Sequence, residues 1–220
     1  MIMTAINNAD EGLFVKVTKE QVRQNRQALL DAAGVLFKQH GIDGVGVADV
    51  CRQAGLTHGA LYKHFVDKQD LAAQAFSHSF RSGYDRVTAG RAGPGRGLDT
   101  YLSSYLSRRV RDDPAAGCPL TASACETGRQ GEAVSRSFAA GFEELRDGIT
   151  TTLPDAAPGR EALATTMVAA LIGAMALSRG VLKADPALAD QVLAQVRGVL
   201  EQLGDSGGAS GPITAAAPGP

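Results

Sequence analysis

The sequence predicts an all-α protein of about nine helices. Three observations carry that expectation. Aromatic residues make up only 5% of the 220-residue chain, with no Trp, and strand-favouring residues are scarce outside short runs. Ala is abundant, which favours helix. Apolar residues recur every three to four positions over long stretches, the period of a helix with one buried face. The chain is also long enough to bury a substantial core.

The elements follow in order. Residues 1–17 lack a pattern and read as a flexible arm. Thr18-Lys-Glu-Gln21 has the form of a capping box, in which a hydroxyl and a side-chain amide satisfy early helix amides reciprocally. Val22, Leu29, Ala32, Ala33, Leu36 and Phe37 then share one face, and His40-Gly41 supplies a stop, so a first helix is expected over 19–39. A short second helix over 47–54 turns Val47, Val50, Cys51 and Ala54 inward. Gly55-Leu56-Thr57 makes a tight turn, with Thr57 capping a third helix over 58–65. Ala60, Leu61 and Phe65 point inward, and Thr57, His58, Gly59, Tyr62, Lys63 and His64 point outward, where they can face DNA. Asp67 caps a fourth helix that runs to about residue 89.

Arg91–Gly97 is a loop rich in helix breakers. A fifth helix carries Leu98, Tyr101, Leu102, Tyr105 and Leu106 and extends to about Arg111. Asp113–Gly117 interrupts it, and a short sixth helix opens at Cys118-Pro119. The seventh is expected over 132–152, the eighth over 160–182 and the ninth over 186–203, with a loop at Pro154–Gly159. The tail, 204–220, collapses to Gly, Ser, Ala and Pro and reads as disordered.

Two short helices joined by a three-residue turn containing Gly form a helix-turn-helix. Its second helix fits the DNA major groove, where outward side chains reach base edges. Lys63 and His64 can donate to phosphate or guanine, Tyr62 can bond a phosphate or pack on a thymine methyl, and His58 stands near the helix start. Gly59 permits close approach, while Arg26 and Lys68 are placed to clamp flanking phosphates. Charge adds little. The net charge is -1, and residues 14–70 hold eight Lys/Arg against six acids, a local balance of about +2.

The stretch 26–71 resembles the DNA-binding domain of the TetR family of bacterial repressors. The run that carries the resemblance is Arg26, Leu29-Leu30-Asp31-Ala32-Ala33, Leu36-Phe37, His40-Gly41, Val50, Ala54-Gly55-Leu56-Thr57, Gly59-Ala60-Leu61-Tyr62-Lys63-His64-Phe65, Lys68 and Leu71. It covers about a fifth of the chain and is highly specific. The resemblance implies a three-helix DNA-binding domain (18–66) followed by a helical domain for ligand binding and dimerisation (67–203). One departure stands out: where the family has Thr or Ser just before the second helix, this chain has Val45 and Gly46.

The resulting expectation is a cytoplasmic homodimer that binds double-stranded, palindromic operator DNA and leaves it when a small, largely apolar inducer binds. The eighth and ninth helices carry wide apolar faces suited to pairing across a two-fold axis. Phe80, Tyr101, Tyr105, Cys118, Phe138, Phe142 and Met167 are candidate lining residues for the inducer site, the alternative for each being plain core packing. Cys118, at a helix N-cap where the dipole lowers a thiol pKa, opens a second reading as a sensor of electrophiles or oxidants, which the resemblance also permits. A third reading is a ligand-binding dimer without DNA binding. An activator is also compatible with the motif.

Other classes lack support. The sequence holds no Gly-rich phosphate loop, no Gly-x-Ser-x-Gly elbow and no zinc spacing among His40, His58, His64 and His78, so no enzyme, metal or cofactor is expected. Cys51, Cys118 and Cys125 are too few and too scattered for a disulfide scaffold. No signal peptide or convincing membrane span is visible.

Overall fold

The computed structural model describes residues 18–88, 96–155 and 159–205. The expected arm at 1–17, most of the loop at 91–97, the middle of the loop at 154–159 and the tail from 206 onward lie outside the described residues. Ten α-helices occupy the described residues: α1 (Lys19–His40), α2 (Val47–Ala54), α3 (His58–Leu61), α4 (Lys68–Thr88), α5 (Arg96–Tyr105), α6 (Arg108–Asp112), α7 (Pro119–Ser123), α8 (Glu132–Thr152), α9 (Arg160–Val181) and α10 (Pro186–Asp205). Short 3-10 turns lie at Pro114–Ala116 and Thr127–Arg129, and there is no strand among the described residues.

Local signals account for most helix ends. Thr18 accepts the Gln21 amide and starts α1, although Gln21 bonds Asn25 instead of reaching back, so only half of the capping box forms. Gly41 ends α1 with φ 76°. Three boundaries differ from the expectation. α3 closes at Leu61, and the chain tightens through Tyr62–His64 so that Phe65 turns into the core. The fifth helix divides in two because Ser107 caps a new helix, accepting the Val110 amide, and turns Val110 and Arg111 inward. α10 runs through Gly204-Asp205, since Gly204 lies against the Leu98 side chain where a Cβ would not fit.

Two apolar cores result, and α4 belongs to both. The first joins Leu29, Leu30, Ala33 and Phe37 of α1 to Val50, Cys51, Leu61 and Phe65, closed by Leu71, Ala72 and Ala75. The second gathers Phe76 and Phe80 of α4, Leu102 and Tyr105 of α5, Leu145 and Ile149 of α8, Met167, Leu171 and Met175 of α9, and Leu193 and Leu200 of α10. α9 is apolar and long enough to cross a membrane by length and composition, and its most apolar side chains are spent on this second core.

The segment 113–131 ties the two cores together beside α4. Lys38 of α1 donates to the Ala115 and Gly117 carbonyls. The Glu126 carboxylate accepts the Ile42 amide at 3.0 and 3.2 Å, just past the end of α1. Gln69 in the first turn of α4 donates to Gln130 and accepts from the Gly131 amide.

Candidate functional site

The first candidate surface is the outer side of α2, the turn and α3. Gly55 adopts φ 68° and passes the chain from α2 into the turn, with its amide bonded to Arg52 and that of Leu56 to Cys51. Thr57 caps α3 by accepting the Ala60 amide at 3.3 Å. Leu61 and Phe65 are buried and pin α3 to α1. Thr57, His58, Gly59, Tyr62 and Lys63 are all exposed, Tyr62 at 55%, and His64 is half-buried. Six of the eight residues expected on a DNA-facing surface therefore share one strip. Lys68 lies half-buried at the start of α4. Arg26 bonds Gln74 of α4, and its guanidinium sits 5.6 Å above the Phe65 ring, so it braces α3 from behind as well as being exposed.

His64 lies near two cations. Burial first, then Arg26 and Lys63, lower its pKa from the ordinary value. A His with a lowered folded pKa takes up its proton more readily when unfolded. Its contribution to stability is therefore full above the unfolded value of about 6.5 and is lost as pH falls through it. The melting temperature is expected to fall from pH 7 towards pH 5 with a component that His64→Gln removes, measured by circular dichroism.

Val45 is buried at 3% and serves the core. Gly46 is the N-cap, extended at φ -83°, exposed, and lacking a side chain to bond the helix amides; Asp49 accepts the Gly46 amide at 3.0 Å. A Cβ there would meet only the flexible end of Asp49. Gly46→Ser is expected to stabilise the chain by a few tenths of a kcal/mol, about what a hydroxyl cap adds over Gly. By adding a phosphate contact it is also expected to tighten DNA binding about threefold in a gel shift.

The second candidate site is a cavity of about 250 Å³ between α4, α5, α6 and the start of α7. Its wall takes in Phe80, Tyr101, Tyr105 and Cys118 among the residues that the sequence singled out, and adds Ser104, Arg109, Val110, Gly117 and Pro119. Tyr101 and Tyr105 stand with rings 5.7 Å apart. Phe138, Phe142 and Met167 do not line it; Met167 is fully buried, and Phe138 packs on Phe76 with rings 5.8 Å apart. Arg109 is the addition with chemical weight. Tyr101, Tyr105 and Arg109 recur four residues apart, a signal that the break at Ser107 obscures.

Cys118 caps α7 as expected, but the expected thiolate does not follow. Burial pushes its thiol pKa up, outweighing the Leu120 and Thr121 amides, the Tyr105 hydroxyl and the Lys38 charge that pull it down. The helix-terminus effect is a partial charge at the end of a five-residue helix, and the desolvation of a half-buried thiol in the cavity wall acts against it. Tyr105 likewise is held neutral well above its ordinary value by burial, with its hydroxyl bonded to Thr121. Cys51, Cys118 and Cys125 are free cysteines, and no cluster of His, Cys, Asp and Glu able to hold a metal occurs among the described residues.

Comparison with known proteins agrees with this architecture. Residues 29–75 match the family described as bacterial regulatory proteins, tetR family, and residues 94–188 match the C-terminal domain of LmrA/YxaF-like transcriptional regulators. The HTH-type transcriptional regulator AcrR of Shigella flexneri is 39% identical over 66 residues, 30% of this chain and 31% of that protein. The regulator TtgR of Pseudomonas putida is 34% identical over 74 residues, 34% of this chain and 35% of that protein. The chain thus aligns with about a third of the length of these relatives. Among solved structures, a TetR-family regulator from Agrobacterium tumefaciens superposes with a TM-score of 0.66 at 21% identity, over 82% of this chain and 98% of that one. The reduced form of E. coli NemR gives 0.67 at 17% identity, over 79% and 95%. At these identities the structures speak for the fold.

Proposed function

The chain belongs to the tetR family of bacterial regulatory proteins, and from that premise we propose that it is a dimeric repressor that binds a palindromic operator and is released from it by a small ligand. The observation that carries the reading is the exposed set Thr57, His58, Gly59, Tyr62 and Lys63, backed by the buried Leu61 and Phe65. In this reading residues 18–66 form the DNA-binding domain and 67–203 the ligand-binding and dimerisation domain. α3 enters the major groove, with Tyr62 and Lys63 leading, while Thr57 and the start of α3 meet phosphate.

Two copies would pair through α9 and α10. α9 presents Ala162, Thr166, Ala169, Gly173, Ala176 and Gly180 along its outer side, with Leu177 exposed at 62%. α10 exposes Leu188, Val199 and Leu203. Small side chains let helices approach closely, and the exposed aliphatics give the contact its apolar area.

Release would run through two connections. α4 carries Phe80 in the cavity wall and Leu71 in the DNA-binding core. The segment 113–131 begins against the cavity at Gly117 and Cys118 and ends on α1 and α4 through Lys38, Glu126 and Gln69. A ligand that prefers one placement of these elements shifts the spacing of the two recognition helices by its difference in affinity for the two states. A gel shift with the intergenic DNA beside the protein's own gene tests the reading. A band that survives excess random DNA supports it, and binding no better than to random DNA at low salt rejects it.

A further inference from the structure

Granted that this cavity is the regulatory site, we propose that its ligand is a small aromatic anion, an aryl carboxylate or an acidic phenol, whose charge is met by Arg109. Size and wall set the aromatic part. Phe80, Tyr101 and Tyr105 supply ring faces, and Tyr101 and Tyr105 stand side by side. A cavity of about 150 Å³ accepts benzene, so 250 Å³ holds about two fused rings.

The charges around the cavity set the sign. No Asp or Glu lines it among the described residues, whereas Arg109 does. The neighbouring arginines are already spent. Arg108 and Arg111 both grip the Asp190 carboxylate, at 2.5–2.9 and 2.7 Å, and Arg111 also holds Asp112. Arg109 has no side-chain partner among the described residues and stands exposed at the cavity mouth. Two further cations lie behind the wall. Arg179, half-buried, donates to the Val110 and Arg111 carbonyls at 2.8 and 3.2 Å, and Lys38 holds the Ala115 and Gly117 carbonyls. The acid near Arg179, Asp113, has its carboxylate engaged in capping the turn at Ala115 and is exposed.

Ring faces alone would also suit a cation. Here a cationic ligand would enter a field made by three like charges, while an anion gains the Arg109 fork. The Ser104 and Tyr105 hydroxyls and the neutral Cys118 thiol add polar contacts within the same wall.

The test uses the full chain and three probes of one shape and different charge: 1-naphthoate, 1-naphthamide and 1-naphthylmethylammonium, titrated by calorimetry at low salt. Naphthoate is expected to bind about fivefold more tightly than the amide, about 1 kcal/mol, the range of a solvent-exposed ion pair. The ammonium is expected to bind most weakly. Arg109→Gln should bring acid and amide within twofold of each other without weakening the amide, and Arg109→Lys should restore part of the difference. Equal binding of the three probes, or a preference for the acid that survives Arg109→Gln, overturns the inference and leaves the cavity reading intact. Binding of none of them overturns both.

Discussion

A chain carrying Gly173→Lys and Leu177→Lys is expected to fold normally, sediment as a monomer and lose operator binding. The outer side of α9 gives the reason. A Cβ at Gly173 or Gly180 would meet nothing within 4 Å in the lone chain, so neither glycine is needed for packing within it. Each costs a helix about 0.5–1 kcal/mol relative to Ala. The proposed pairing of α9 with its copy would give a reason for their place in a stripe of small residues. Leu177, exposed at 62%, sits beside that stripe. Lysines at these positions fit a solvated helix surface and place like charges across a two-fold contact. The helical circular dichroism signal should be kept, while the melting temperature falls and no longer depends on protein concentration, because the monomer lacks the stabilisation that pairing gives. DNA affinity should fall by about 10²-fold or more, because the second half-site contact is no longer intramolecular. A dimer that persists in sedimentation at micromolar concentration would place the interface elsewhere.

Tyr62→Ala and Lys63→Ala are each expected to weaken operator binding about tenfold or more, with the melting temperature nearly unchanged. Both side chains are exposed, and Tyr62 meets the edge of the His58 ring, 6.2 Å away between centroids. Lys63→Ala should also lower the dependence of log K on log salt by about one unit, the mark of one lost phosphate contact. Phe65→Ala provides the contrast. Phe65 is 2% exposed, and its removal from the first core should cost about 3–5 kcal/mol. That variant loses DNA binding because α3 loses its footing, and its melt reveals the difference.

The helix-turn-helix was legible because its signals are local. Gly55 at a positive φ, Thr57 as a cap and the inward spacing of Leu61 and Phe65 all act within a few residues. The long helices were legible for the same reason, through one-sided apolar spacing. The cavity was only half legible. Phe80, Tyr101, Tyr105 and Cys118 line it, but Phe138, Phe142 and Met167 show the same helical spacing, Met167 within the core and the two Phe rings packed against it. Periodicity says that a face is inside and does not say whether it meets another side chain or an empty space. Arg109 escaped notice because the cap at Ser107 redirects the chain after α5. The links from Lys38 to Ala115 and from Ile42 to Glu126 join residues 77 and 84 positions apart, with no local mark of their pairing. At Cys118 the cap position is legible in the sequence, but the desolvation that raises its thiol pKa comes from residues distant in the chain and leaves no local mark.

If two copies of α3 read DNA together, a footprint on the intergenic DNA beside the protein's own gene shows it most directly. Two protected half-sites related by a two-fold axis, about one helical turn or a multiple of it apart and fading as salt rises, are the predicted result. Uniform protection without boundaries, or none at low salt, would contradict it.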